Sequence, residues 1–165
     1  MSKFITFKPI GEILREAGLI TSPQLEVALR DQAYNRDMLL GEILALRGWI
    51  KQDTADFFVR EWFKLLNKRV DRPIGFYLKQ AGLLTEQDIK LILLEQNRQS
   101  LRFGDTAVKQ GLIKPSTVNF FVQNLFPSQL RKPNSIVEES NSEPKITNDD
   151  ITYWAIMSNE QMAKL

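Results

Sequence analysis

The stretch PIGEILREAGLITSPQLEVALRDQ, residues 9–32, sets the pattern of the whole chain. An apolar residue precedes Gly11, a short amphipathic run leads to Gly18, an apolar pair follows, and a second run carries Leu25, Ala28 and Leu29 at helical spacing. A helix must stop where glycine takes the left-handed cap, because only glycine adopts it without a Cβ penalty. Thr21 and Gln24 then have the spacing of a capping box that opens a second helix. The stretch predicts a helix, a glycine turn and a longer helix.

The unit recurs as LLGEILALRGWIKQDTADFFVREW (39–62), PIGFYLKQAGLLTEQDIKLILLEQ (73–96) and RFGDTAVKQGLIKPSTVNFFVQNL (102–125). In each copy the two glycines stand seven positions apart, and all 8 glycines of the protein belong to the pattern. Thr85 takes the place of Thr21 in the third unit, with Ile89, Ile92 and Leu93 on its helical face, and Pro115 suits the first turn of a helix in the fourth. Units one and three share Pro-Ile-Gly and a final Gln, whereas two and four share DFFVREWF (56–63) and NFFVQNLF (119–126). The order is A-B-A′-B′.

A lone hairpin cannot bury its apolar stripe, so neighbouring repeats should pack in pairs. The reading is an all-α fold of two tandem modules, residues 1–66 and 67–126. The apolar KLLNKRVDR (64–72) continues the preceding helix into a short connection, so that the modules touch. Residues 127–150, rich in Pro, Ser, Asn and Glu, read as a flexible linker. The final ITYWAIMSNEQMAKL (151–165) regains Tyr153, Trp154, Ile156 and Met157 and reads as a segment that docks on the body or on a partner.

With 0 cysteines and 0 histidines the chain lacks disulfides, thiolate nucleophiles and the usual zinc and triad sets. Glu12, Glu42 and Asp105, which follow the first glycine of their units, suit helix N-termini better than acid–base chemistry. No metal site and no enzymatic constellation is expected. The net charge of +2 divides into a slightly basic body and a tail in which 4 basic residues face 6 acidic ones. That is too little for a nucleic-acid interface. No stretch approaches the roughly 18 apolar residues of a membrane span, so a cytoplasmic protein with no membrane insertion is expected.

The motif of Gly, helix, Gly, apolar pair, Leu, Leu and terminal Gln resembles the MshEN-type cyclic-di-GMP-binding motif. That motif belongs to the N-terminal domains of type II secretion and type IV pilus ATPases. The resemblance covers residues 9–125, while the ATPase portion and its phosphate loop are absent. It implies a bacterial regulatory module, with cyclic-di-GMP as regulatory ligand. Carried over by position, the first-place arginine survives only as Arg102, since Pro9, Leu39 and Pro73 stand there in the other units. The implied second-module site is Ile74, Gly75, Ile89, Leu93, Gln96, Arg102, Phe103 and Gly104. The first module keeps a weaker set, Lys8, Ile10, Gly11 and Gln32.

Two functions follow as expectations. One is a non-catalytic adaptor with a protein partner, such as a pilus or secretion component, contacted through Trp62, Phe63, Tyr153, Trp154, Ile156 and Met157. The other is a cyclic-di-GMP receptor using the second module. Adjacent Phe57–Phe58 and Phe120–Phe121 point different ways around a helix, so some of these rings should lie between modules or at a partner surface.

Overall fold

The same short helix opens every repeat. In this computed structural model, which describes residues 8–129, these helices are α1 (Ile10–Glu16), α3 (Leu40–Leu46), α6 (Ile74–Gln80) and α8 (Phe103–Lys109), each of 7 residues. Their partners are α2 (Ser22–Tyr34), α4 (Gln52–Arg60), α7 (Glu86–Gln99) and α9 (Pro115–Leu125). A break at Glu61 separates α4 from α5 (Trp62–Leu66), which leads into the connection. The fold is all-α, with no strand among the described residues. None of these helices is long and apolar enough to cross a membrane. Pro127–Gln129, placed in the linker on sequence, forms a 3-10 turn behind α9.

All four short helices end alike. Gly18, Gly48, Gly82 and Gly111 have φ of 70, 72, 67 and 71°. After α1, the Gly18 amide donates to the Arg15 carbonyl at 3.0 Å and the Leu19 amide to the Leu14 carbonyl at 3.0 Å. The same pair of bonds forms at the other three glycines, so orphan carbonyls of each helix end are satisfied by a Schellman motif. The capping boxes form as the sequence predicts. Thr21 Oγ1 accepts from the Gln24 amide at 3.3 Å and Thr85 Oγ1 from the Asp88 amide at 3.2 Å, while Gln24 and Asp88 reach back to the Thr21 and Thr85 amides.

The first glycines of the units serve packing. A Cβ on Gly11 would meet Leu25 at 2.4 Å, on Gly41 it would meet Ala55 at 2.9 Å, and on Gly104 it would meet Val118 at 2.6 Å. These contacts let each short helix lie close against its neighbour. Leu14, Leu44 and Leu78, all fully buried, form the core side of three short helices, with Leu25, Ala28, Ile89 and Ile92 beneath them. Leu29, expected on that face, is about half exposed, because α2 turns it toward solvent at the edge of the stripe.

The two halves of the described chain share an aromatic cluster. Trp62 stacks on Phe120 with centroids 4.9 Å apart and planes at 21°, and Phe57 stacks on Phe121 at 6.3 Å and 16°. Phe58 meets Phe121 edge-on at 6.0 Å. All four phenylalanines are buried, between the halves rather than at a free surface. Each Phe-Phe pair turns its rings nearly perpendicular, at 89° in Phe57–Phe58 and 73° in Phe120–Phe121, so both rings reach the cluster from one helix.

The glycine turns separate two effects that a stability series can read. Gly48→Ala places a Cβ in open space and should lose only the left-handed strain, about 1 kcal/mol. At Gly18 the Cβ would lie 2.2 Å from Ser116 Oγ, so Gly18→Ala should lose more than Gly48→Ala in urea unfolding. Equal losses at the two positions would show that the α1 turn is not held against α9.

Candidate functional site

The seam between the halves is built twice from the same parts. Repeats two and four enter their long helices through Ile-Lys-x-x-Thr, in WIKQDT (49–54) and LIKPST (112–117). Lys51 and Lys114 are the N-cap residues of α4 and α9, where the positive end of the helix disfavours a cation. Each resolves this by reaching the opposite half. Lys51 Nζ donates to the Gly82 carbonyl at 3.0 Å and Lys114 Nζ to the Gly18 carbonyl at 3.2 Å. Those carbonyls lie at helix C-termini, where a cation is favoured. Buried Thr54 adds an Oγ1 donation to the Ala81 carbonyl at 2.7 Å, and its counterpart Thr117 is buried beside Gly18.

Two grooves flank these contacts at equivalent places. The larger, of about 420 Å³, runs past Lys8, Glu16, Ser116, Asn119, Gln123 and Asn124. The other, of about 320 Å³, has Asp53, Asp56, Arg60, Glu61, Lys79 and Gln80 around it. Phe120 and Phe57, at the same repeat position, line the respective grooves. Thus the first groove sets three amides beside the Lys8–Glu16 pair, whereas the second is lined mainly by charges of both signs.

The residues assigned to a dinucleotide by resemblance divide. Ile74–Gly75 and Phe103–Gly104 come together, because a Cβ on Gly75 would lie 2.8 Å from the Phe103 ring. The ring itself therefore covers the glycine. Ile89, on α7, is 1% exposed and out of reach of a surface ligand. Ile74, Leu93 and Gln96 are half-buried. Arg102 is exposed at the start of α8, with Nη1 3.4 Å from the Gln129 carbonyl.

In the first half the polar candidates have other partners. Lys8 Nζ bonds both Glu16 oxygens, at 2.7 and 2.9 Å, and Gln32 Nε2 donates to the Met38 carbonyl at 3.2 Å. Ile10 is half-buried and Gly11 closes against Leu25 and Leu40. Trp62, weighed as a partner contact, is 1% exposed inside the aromatic cluster, which corrects that assignment. Phe63 is half-buried. Tyr153, Trp154, Ile156 and Met157 lie outside the described residues.

The acids behave as helix-end residues. Glu42 Oε2 accepts the Leu39 amide at 2.8 Å, and Glu12 pairs with Arg15 at 2.6 Å. Among the described residues no group of three His, Cys, Asp or Glu is placed to hold a metal. The Asp88 carboxyl is held below the usual carboxylate range by the Thr85 amide, then by the Thr85 hydroxyl, with a smaller contribution from Lys51 of the opposite half. Burial raises the Tyr77 phenol above its ordinary value, and its ring lies 6.2 Å from Phe126.

No family model and no solved structure matches the chain. It is 46% identical over 116 residues to an uncharacterized protein of Picosynechococcus sp. (strain ATCC 27264 / PCC 7002 / PR-6). The match covers 70% of this chain but only 63% of that relative's length.

Two measurements probe this site. Gly75→Ala should destabilise by about 1–3 kcal/mol through collision with Phe103, and much of that loss should vanish in a Phe103→Ala background. Additive losses would place the two residues apart. The depressed Asp88 value means that its contribution is complete above the unfolded carboxylate pKa and disappears as pH falls through the folded one. Urea unfolding between about pH 6 and about pH 3 should therefore show a smaller loss of stability in Asp88→Asn than in wild type.

Proposed function

We propose that the chain is a non-catalytic adaptor, a regulatory module that works by protein–protein contact. One observation carries this reading. Leu39 stands where the resembling motif has its ligand arginine, and it is 65% exposed at the start of α3. A position that offers a cation to a nucleotide in the motif offers an apolar side chain to solvent here. Leu46, 79% exposed, follows it along α3, and Tyr34, 84% exposed, ends α2. Exposed apolar side chains two turns apart on α3, with another at the end of the preceding helix, are suited to a protein partner. By the resemblance, that partner is a pilus or secretion component in the cytoplasm, and the 151–165 segment supplies a second contact.

The alternative is a cyclic-di-GMP receptor acting through the second half. It is favoured by Arg102, whose guanidinium is exposed and makes one long bond, to the Gln129 carbonyl. The fork of an arginine suits both phosphate and a guanine edge.

Titration calorimetry of the full chain with cyclic-di-GMP separates the two. The adaptor reading expects no heat at high ligand concentration. Micromolar binding that weakens by roughly 1.5–3 kcal/mol in Arg102→Ala would establish the receptor instead. In affinity capture with the full chain as bait, a Leu39→Glu/Leu46→Glu variant that keeps its helical circular dichroism should lose the protein recovered by wild type. Undiminished recovery would remove α3 from the interface.

A further inference from the structure

The parts of the seam allow it to form between chains as well as within one. Each half carries both sides of the contact. One side is a glycine turn that offers a carbonyl, at Gly18 or Gly82. The other is a helix start that offers a lysine, a threonine and two phenylalanines, at Lys51, Thr54, Phe57 and Phe58 or at their counterparts after Lys114. Both directions of contact run from the turn of one half to the helix start of the other. The halves are joined only through residues 67–73, between α5 and α6, where Lys68, Arg69, Asp71 and Arg72 are exposed. The two sides have diverged enough to prefer unlike halves. Trp62 on one side faces Phe120 across the seam, whereas its repeat counterpart is Leu125, and Lys8–Glu16 has Arg72 and Gln80 at the equivalent places.

We propose that this seam is also an interaction surface for a second copy of the chain, formed by exchange of halves about the 67–73 connection. The first half of one chain then pairs with the second half of the other, and every lysine, threonine and aromatic contact of the closed chain is made again across the pair. Because the same contacts form in both arrangements, the balance is set by the effective concentration that the connection confers. For a short connection that concentration is in the millimolar range. Exchange therefore rises with chain concentration and with shortening that leaves the connection unable to span the closed chain. The inference is independent of the adaptor and receptor readings, since it uses neither Leu39 nor Arg102.

The absence of native cysteine gives a clean test in the full chain. A Cβ at position 82 would lie 3.4 Å from the Asp53 Cβ, close to the separation of about 3.5–4.5 Å in disulfides. Asp53→Cys and Gly82→Cys chains, incubated together at about millimolar concentration and then diluted and oxidised, should give a disulfide-linked species of doubled mass. Mixing after dilution should give none, and neither should Glu26→Cys in place of Asp53→Cys. A mixture that yields no more linked species than the Glu26→Cys control overturns the proposal. Light scattering on the cysteine-free chain lacking residues 68–71 gives a reading free of backbone strain at Gly82. It should show a doubled mass, and a monomer there overturns the proposal as well.

Discussion

The stack of Trp62 on Phe120 and of Phe57 on Phe121 is the contact on which the rest of the described chain depends. Every helix pair buries its own leucines and isoleucines, but each hairpin is too small to remove a full stripe from water by itself. The aromatic rings meet at the seam, and they come from α4 and α5 of one half and α9 of the other. Loss of one large ring from such a centre costs about 3–5 kcal/mol, a large part of the stability of a small protein. The break at Glu61 matters for the same reason, because it starts a new helix at Trp62, whose indole is buried in the cluster.

Around that centre, polar contacts fix direction rather than strength. Exposed lysine–carbonyl bonds contribute little to stability, yet the placement of Lys51 and Lys114 is informative. A cation at a helix start is unfavourable in its own helix and favourable at the end of another. The bond to a glycine carbonyl across the seam joins these two tendencies in one contact. The buried bond from Thr54 to the Ala81 carbonyl adds register, because an orphan carbonyl at a helix end would otherwise be left dry.

The functional reading follows from what these structural duties leave available. Gly75 and Gly104 are small so that helices can approach, Gln32 holds the backbone ahead of α3, and Lys8 is committed to Glu16. Side chains with no packing duty are the ones that can serve a partner. Leu39, Leu46 and Tyr34 form such a group on α2 and α3, and Arg102 is one on α8.

By itself the sequence determined the helical hairpins. Glycines seven apart mark a short helix closed by a left-handed residue, and Thr-x-x-Gln or Thr-x-x-Asp marks the next start, because caps are local interactions within a few residues. The shared Phe-Phe pairs were legible as well, but their convergence was not. Two neighbouring side chains on one helix diverge by about 100°, and only a helix packed on several sides can bury both. The Ile-Lys-x-x-Thr signal at 49–54 and 112–117 carries no meaning in sequence alone, since a lysine at a helix start has no local purpose. Its purpose lies in a carbonyl 96 residues away for Lys114 and 31 for Lys51. Likewise Trp62 looks in sequence like any aromatic that could meet a partner. Only the packing of α5 on α9 decided that it belongs to the interior, because burial is a property of what surrounds a side chain.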